Sequence, residues 1–436
     1  MDLKAFSKRI VAVFHKPSVQ GTLWMITARG FRIVIQAGYF VIIARALGAE
    51  QYGAFVGVVA LAGLLTPFCG LGSEHILIKH VSRDRLLFRE YWGNALFLAI
   101  ASSLVLIPLA MLAARVFLPA SISPWLVALI CISDLLFLRI IDTASKALLS
   151  VDLVNKTARL QISLTLKNLL AALALITFFE TPNVVIWSLL YCGSTVITGV
   201  TTFFWVSRLV ARPKLALKRI PPELVEGFYF SIGLSAQSIN SNVDKTMLTR
   251  LSTLQATGVY AAAYRIIDVA LTPIFSALGV FYAKFFRYGE SGITGSLSLA
   301  KRLVPIAGLY GLVASLSLFL LAPLLPLLLG EEYRESVEAL RWLSPLLILQ
   351  SLQFFAADTL SGAGYQGARS GLQVTAALLN FLINLWVIPL YSWRGAAGSS
   401  ILSEGFLMLG MFAVVYVLYT RHMAKARREL QETQEL

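Results

Sequence analysis

The chain has 436 residues, 57% of them hydrophobic and 14% charged, with a net charge of +14. Soluble domains carry about 25% charged residues, so this composition excludes the globular class. At about 20 apolar residues per span, the length accommodates about twelve transmembrane helices with short loops and no sizeable soluble catalytic domain.

Residues 1–21 carry Lys4, Lys8, Arg9 and Lys16 without an apolar run followed by a cleavage site, so no removable signal peptide is expected. Leu3, Phe6, Ile10, Val13 and Phe14 recur at helical spacing and predict a short amphipathic helix on the inner surface. Apolar runs then predict spans near 22–44, 52–74, 91–117, 122–145, 160–179, 184–207, 227–250, 258–282, 303–322, 339–361, 371–390 and 396–419. Helices are expected because barrel strands alternate and do not give such long runs.

Of the 37 Lys and Arg residues, 25 fall before span 1 or in the loops on that same side, and six on the opposite side. This bias places both termini in the cytoplasm. It also argues against nucleic acid as a partner, since the basic residues are scattered loop-end clusters without interleaved aromatics. Cys69, Cys131 and Cys192 lie in apolar segments without close spacing, which indicates neither a disulfide framework nor a metal site.

A weak internal repeat sets Tyr52-Gly53-Ala54-Phe55 and Leu65-Thr66-Pro67 against Thr257-Gly258-Val259-Tyr260 and Leu271-Thr272-Pro273, offset by about 205 residues. Six spans per half make the halves parallel, as in transporters with a central site. The expected organisation is an interfacial segment 1–21, a six-helix lobe 22–208, a basic cytoplasmic linker 209–224, a second six-helix lobe 225–420 and a cytoplasmic tail 421–436.

Charges inside spans are the informative residues, because each costs about 2.5–3.5 kcal/mol near the bilayer centre and so faces protein or a water-filled cavity. Span 1 carries Arg29, Arg32 and Gln36 in one row. Span 7 is polar over most of its girth: Ser231, Ser235, Ser238, Asn242, Lys245 and Thr249 form one row, and Gln237, Ser241 and Asp244 widen it. Such a helix either lines a cavity or is encased by other helices, and its charges favour the cavity. In span 8, Arg265 and Asp268 fit an ion pair or ligand contacts equally well. Span 4 holds Asp134, Arg139, Asp142 and Lys146, of which Asp142 can reach both Arg139 and Lys146 at helical spacing, a mostly structural set, and Glu74, Asp358 and Glu404 read as helix-end acids.

No HExxH, GxSxG, Walker A or paired-carboxylate pattern is present, and His15, His75, His80 and His422 lie at or beyond span ends. The sequence therefore reads as a non-enzyme without cofactor or ATP-driven motor.

Ala44-Arg45-Ala46-Leu47-Gly48-Ala49-Glu50-Gln51-Tyr52-Gly53-Ala54-Phe55, taken with Asn242-Val243-Asp244-Lys245-Thr246-Met247-Leu248 and Gly258-Val259-Tyr260-Ala261-Ala262-Ala263-Tyr264-Arg265, resembles the polysaccharide (O-antigen type) flippases of the multidrug/oligosaccharidyl-lipid/polysaccharide exporter superfamily. The resemblance covers nearly the whole chain. It implies an all-α membrane protein, with two six-helix lobes around a central cavity lined by spans 1, 2, 7 and 8. It also implies a flippase moving polyprenyl-pyrophosphate-linked oligosaccharide across a bacterial inner membrane by alternating access. Arg29, Arg32, Arg45, Lys245 and Arg265 are then the pyrophosphate candidates, and Gln36, Ser235, Gln237, Ser238, Asn242, Asp244 and Asp268 the polar lining. The implied partners are lipid-linked oligosaccharide and membrane lipids, with other polysaccharide-assembly proteins as candidates. The alternatives are a cation-coupled multidrug antiporter of the same superfamily and a non-transporting scaffold of an envelope-assembly complex.

Overall fold

The computed structural model describes the backbone of residues 17–434, and side chains from Ile33 onward except at 233, 234, 236, 237, 283, 425–430 and 432–434. The amphipathic stretch expected over 1–21 thus lies largely outside the described residues.

Every regular element among the described residues is helical. The first lobe contains α1 (Pro17–Leu65), α2 (Ser73–Val81), α3 (Phe88–Phe117), α4 (Pro124–Cys131), a π-helical turn at Ile132–Phe137, α5 (Leu138–Ser150), α6 (Val154–Phe178) and α7 (Val184–Leu209). The second contains α8 (Ile220–Leu251), α9 (Leu254–Gly289), α10 (Ile293–Leu321), α11 (Leu325–Leu329), α12 (Glu335–Leu343), α13 (Leu346–Gly362) and α14 (Gln366–Gln434).

Nine described stretches are long and apolar enough to cross a membrane. Two of them, Ile33–Phe68 and Gln366–Ala424, are each divided into two passes by a residue with non-helical backbone, Gly48 in α1 and Ser392 in α14. The remaining pass is α8, whose polar row keeps it out of the apolar set. Twelve passes result. Helix starts follow local chemistry: the Asn183 side chain accepts from the amides of Val185 and Ile186, and that of Thr253 from Ala256. Pro221 and Pro222 open α8, where a missing N–H costs nothing.

Apolar side chains face outward as well as inward, as a lipid solvent requires: Leu104, Val105 and Leu112 of α3 and Leu309, Val313 and Leu316 of α10 are all exposed. Inside, Trp187 is fully buried and stacks obliquely on Tyr39 and edge-on against Phe55, with ring centroids 5.8 Å apart in both pairs. Each such pair contributes about 0.5–1.5 kcal/mol beyond its buried area.

The lobes meet closely at the end that carries the Gly48 turn. Gly48 has φ 70 and ψ 172, a region essentially reserved for glycine, and the next amide, Ala49 N, donates to Glu332 Oε2 at 2.9 Å. Tyr333 OH donates to Ala44 O at 3.0 Å. Beside this, the two stretches of the internal repeat cross each other. A Cβ on Gly53 would strike Leu254 O, and one on Gly258 would strike Ala49 O. Each carbonyl lies four residues before the partner glycine, so the contact is reciprocal between the halves.

Along α8, Gly57 sits against Thr249, Gly63 against Asn242, and Ser238 Oγ donates to Gly63 O at 2.6 Å. Towards the basic end, Gly72 and Gly227 touch backbone to backbone, Lys79 Nζ binds Glu226 at 2.7 Å and Tyr91 OH donates to Glu223 at 2.5 Å. The linker after α7 is fastened rather than loose. Lys214 N donates to Arg89 O at 2.8 Å, and Asn94 both donates to Ala216 O and accepts from Ala216 N, at 3.1 and 2.9 Å.

Candidate functional site

Between the lobes lies a cavity of about 410 Å³. Its walls come from the first pass of α1 (Tyr39, Phe40, Ile43), the second pass (Tyr52, Phe55), α8 (Asn242, Lys245) and α9 (Tyr264, Arg265, Asp268), with Asn168 of α6 and Tyr191 of α7 closing one side. The small size of Ala60 and Ala261 leaves the space that the aromatic rings surround.

Two cations face a single carboxylate here. Lys245 Nζ donates to Ser241 O at 3.0 Å and lies 4.5 Å from the centre of the Tyr264 ring. Arg265 and Asp268 share a helix face at the three-residue spacing that suggested an ion pair. Among the described residues, no ion pair within 4.0 Å includes Lys245, Arg265 or Asp268. With two cations to one carboxylate the wall is formally net positive, and the Lys245 ammonium keeps donors beyond the one given to Ser241 O. Such groups hold phosphate oxygens through charge-assisted hydrogen bonds, and tyrosine hydroxyls, amides and ring faces suit sugar hydroxyls and rings.

The other residues singled out in the sequence have varied positions. Gln36 is half-buried one turn before Tyr39 and Phe40 and is not in the wall. Arg45 is exposed near the Gly48 turn. Ser235 Oγ is occupied by Ile232 O at 2.7 Å, and Ser238 belongs to the seam with Gly63. Asn242 lines the cavity and donates to Ser238 O at 3.0 Å. The side chains of Arg29, Arg32 and Gln237 lie outside the described residues.

Asp244 faces away from the cavity. It is buried inside the second lobe, where its carboxylate accepts from Asn384 Nδ2 at 2.7 Å, Tyr260 OH at 3.0 Å and Ser400 Oγ at 2.5 Å. Ser399 donates to Asn384, Asn384 to Asn380 at 2.9 Å, and Asn380 to Ser403 at 3.2 Å. The expected cavity contact is replaced by a polar core, because adjacent residues of a helix point about 100° apart and Lys245 already takes the cavity direction.

The first lobe has its own polar cluster behind the wall. Asp134, in the π-helical turn, accepts from Tyr191 OH at 2.9 Å. Lys167 Nζ donates to Asn168 Oδ1 at 2.9 Å and Thr195 Oγ1 at 2.6 Å and stands 4.7 Å from the Tyr191 ring centre. Arg139 pairs with Glu74 at 2.7 Å, fastening α5 to α2. The sequence reading missed the four tyrosines and Asn168. Tyrosines inside apolar runs give no charge signal, whereas the Lys167-Asn168 pair within span 5 was a visible one.

A family model described as "Polysaccharide biosynthesis protein" matches residues 18–288. No match was found among curated proteins. Among solved structures, the chain is similar to an inward-facing multidrug resistance MATE family transporter of the MOP superfamily, at 15% identity and TM-score 0.70 over 89% of this chain and 95% of that one. It is similar to the lipid II flippase MurJ in an inward closed conformation, at 11% identity and TM-score 0.68 over 90% and 87%. A MOP superfamily transporter from Pyrococcus furiosus, described as having a binding pocket of reverse polarity, matches at 15% identity and TM-score 0.61 over 90% and 93%. At these identities the likeness is one of fold.

Proposed function

The chain belongs to the polysaccharide biosynthesis protein family, and from that premise we propose that it is a flippase for oligosaccharide linked to polyprenyl pyrophosphate, working by alternating access. The observation that carries this reading is the net-positive cavity at the lobe interface, where Lys245 and Arg265 stand beside four tyrosines and two asparagines. The pyrophosphate would be held by the Arg265 fork and the Lys245 point charge, and the first sugars by Asn168, Asn242 and the tyrosines. A volume of about 410 Å³ accommodates a head group and its first sugar, leaving the rest of the glycan and the lipid to extend outward.

The concentration of Lys and Arg on one side supports an orientation with both termini cytoplasmic. The contacts of Glu332, Tyr333 and the crossed glycines then support a form closed towards the outside.

The test is complementation with Lys245→Ala and Arg265→Ala, scored as surface polysaccharide per unit of folded protein, with lipid-linked precursor measured in parallel. Each lost charge-assisted contact is expected to lower transport about tenfold or more, with precursor accumulating inside. Unchanged polymer at normal protein level would remove these two residues from the head-group site.

The second reading, a cation-coupled antiporter, draws on one observation: the buried Asp244 carboxylate accepts its hydrogen bonds from neutral donors, Asn384, Tyr260 and Ser400. It predicts that Asp244→Asn abolishes a dependence of transport on a proton or sodium gradient while leaving the folded level intact. Gradient-independent transport by the parent protein sinks it.

A further inference from the structure

On the first lobe, away from the central cavity and sharing no lining residue with it, a groove of about 460 Å³ runs between α3 and α7. Phe97 and Ile100 form one wall and Phe203 and Phe204 the other, and three of these four are well exposed. Every residue lining the groove is apolar or glycine. Gly199 lets the floor descend onto the Phe137 ring, where an added Cβ would come within 3.0 Å of it. At the basic end the groove is roofed by Pro213 and Leu215 of the linker, held there by Asn94 and by the backbone of Arg89. Gly93 is required beneath that roof, since a Cβ would strike Lys214 O.

An apolar slot of this size within the membrane takes a hydrocarbon chain and offers nothing to a head group. The charge lies just beyond it. Arg208 follows Phe204 by one turn on the same face, and Arg212 and Lys218 flank the roof; all three are exposed. No ion pair among the described residues includes any of the three, whereas Lys214 and Arg219 share Glu90 at 3.9 and 2.9 Å. Unpaired cations at the surface end of a hydrocarbon slot match a molecule with an anionic phosphate head and an acyl tail.

We propose that this groove is a binding site for one anionic phospholipid, its chain between α3 and α7 and its phosphate on Arg208, Arg212 and Lys218. Transported cargo would place its phosphates between the lobes, whereas this site holds a phosphate beside the linker. The lipid would pack against the strand of linker that joins the two lobes.

The full-length protein is reconstituted in vesicles of equimolar phosphatidylglycerol and phosphatidylcholine, extracted in mild detergent, and its retained lipid read by native mass spectrometry. The wild type is expected to retain phosphatidylglycerol in preference to phosphatidylcholine. Arg208→Gln, Arg212→Gln and Lys218→Gln together are expected to lower that retention about a hundredfold if contributions of about fivefold per charge combine. Val200→Trp, which fills the slot, is expected to lower it with the charges intact. Equal retention of the two lipids by the wild type, or unchanged retention in the charge variant, overturns the proposal.

A second measurement on the unaltered chain guards against misfolded variants. Phosphatidylglycerol with a photoreactive group in its tail should label residues 96–100 or 199–204. Labelling confined to other segments, or labelling displaced by polyprenyl phosphate and not by phosphatidylglycerol, overturns it equally.

Discussion

In the proposed head-group site, arginine and lysine would have different roles on the cavity wall. Arg265 presents a rigid planar fork able to hold two phosphate oxygens at once, while Lys245 is a point charge anchored by Ser241 O and the Tyr264 ring. Arg265→Lys keeps the charge and loses the fork, so we expect transport to fall about tenfold, with Arg265→Gln lower still. The comparison requires initial flipping rates at equal amounts of folded protein, and equal rates for Arg265 and its lysine variant would exclude bidentate binding. Of the five cations singled out in the sequence, Lys245 and Arg265 line the cavity, and they were legible because charge inside a span is conspicuous. Asp244 was misplaced because sequence spacing gives a residue's angle on its helix but not the neighbour at that angle, and here the neighbour is the Asn384 and Ser400 network.

At the scale of elements, α8 is held from two sides. Its start is tied to the first lobe by Gly227 on Leu71 and by Glu226 on Lys79, and its far half to the second lobe through Asp244. These ties are unequal. The Lys79–Glu226 pair is more than a third exposed on both sides and is expected to contribute under about 1 kcal/mol, so Lys79→Met should barely move the melting temperature. Gly227→Leu forces a side chain into backbone and should lower stability by about 1–3 kcal/mol. Thermal unfolding in detergent separates the two, and a larger loss for Lys79→Met would reverse the ranking. Most passes were readable from apolar runs, and the polar row of α8 was recognised as a span despite its low hydropathy. What periodicity concealed was abruptness. The loops expected between spans 1 and 2 and between spans 11 and 12 contract to turns at Gly48 and Ser392, and α10 begins at Ile293 within an expected basic loop.

For the whole molecule, the proposed alternating access turns on what would separate for the Gly48 end to open. The crossed glycines hold the halves at a distance set by backbone alone, and a side chain at either position would act as a wedge. Gly258→Leu is therefore expected to favour a form open at the Gly48 end, seen as greater labelling of a cysteine placed at Tyr52 and as loss of transport with normal folding. Unchanged labelling would mean that the crossing does not set the equilibrium.

The reciprocity of that crossing has a consequence for energetics. Side chains that interlock must be withdrawn past one another and their apolar area wetted, at a cost of about 25 cal/mol for each Å². Between Gly53 and Gly258 there are no teeth to withdraw: parting forfeits weak carbonyl contacts of about 0.5–1 kcal/mol each. What holds this end shut is then the Ala49–Glu332 and Tyr333–Ala44 hydrogen bonds and the apolar packing around them rather than the crossing itself. On the proposed alternating-access reading, the occupant's differential affinity for the two shapes has to outweigh those contacts, and not an interlocked seam, to reverse which end of the molecule is shut.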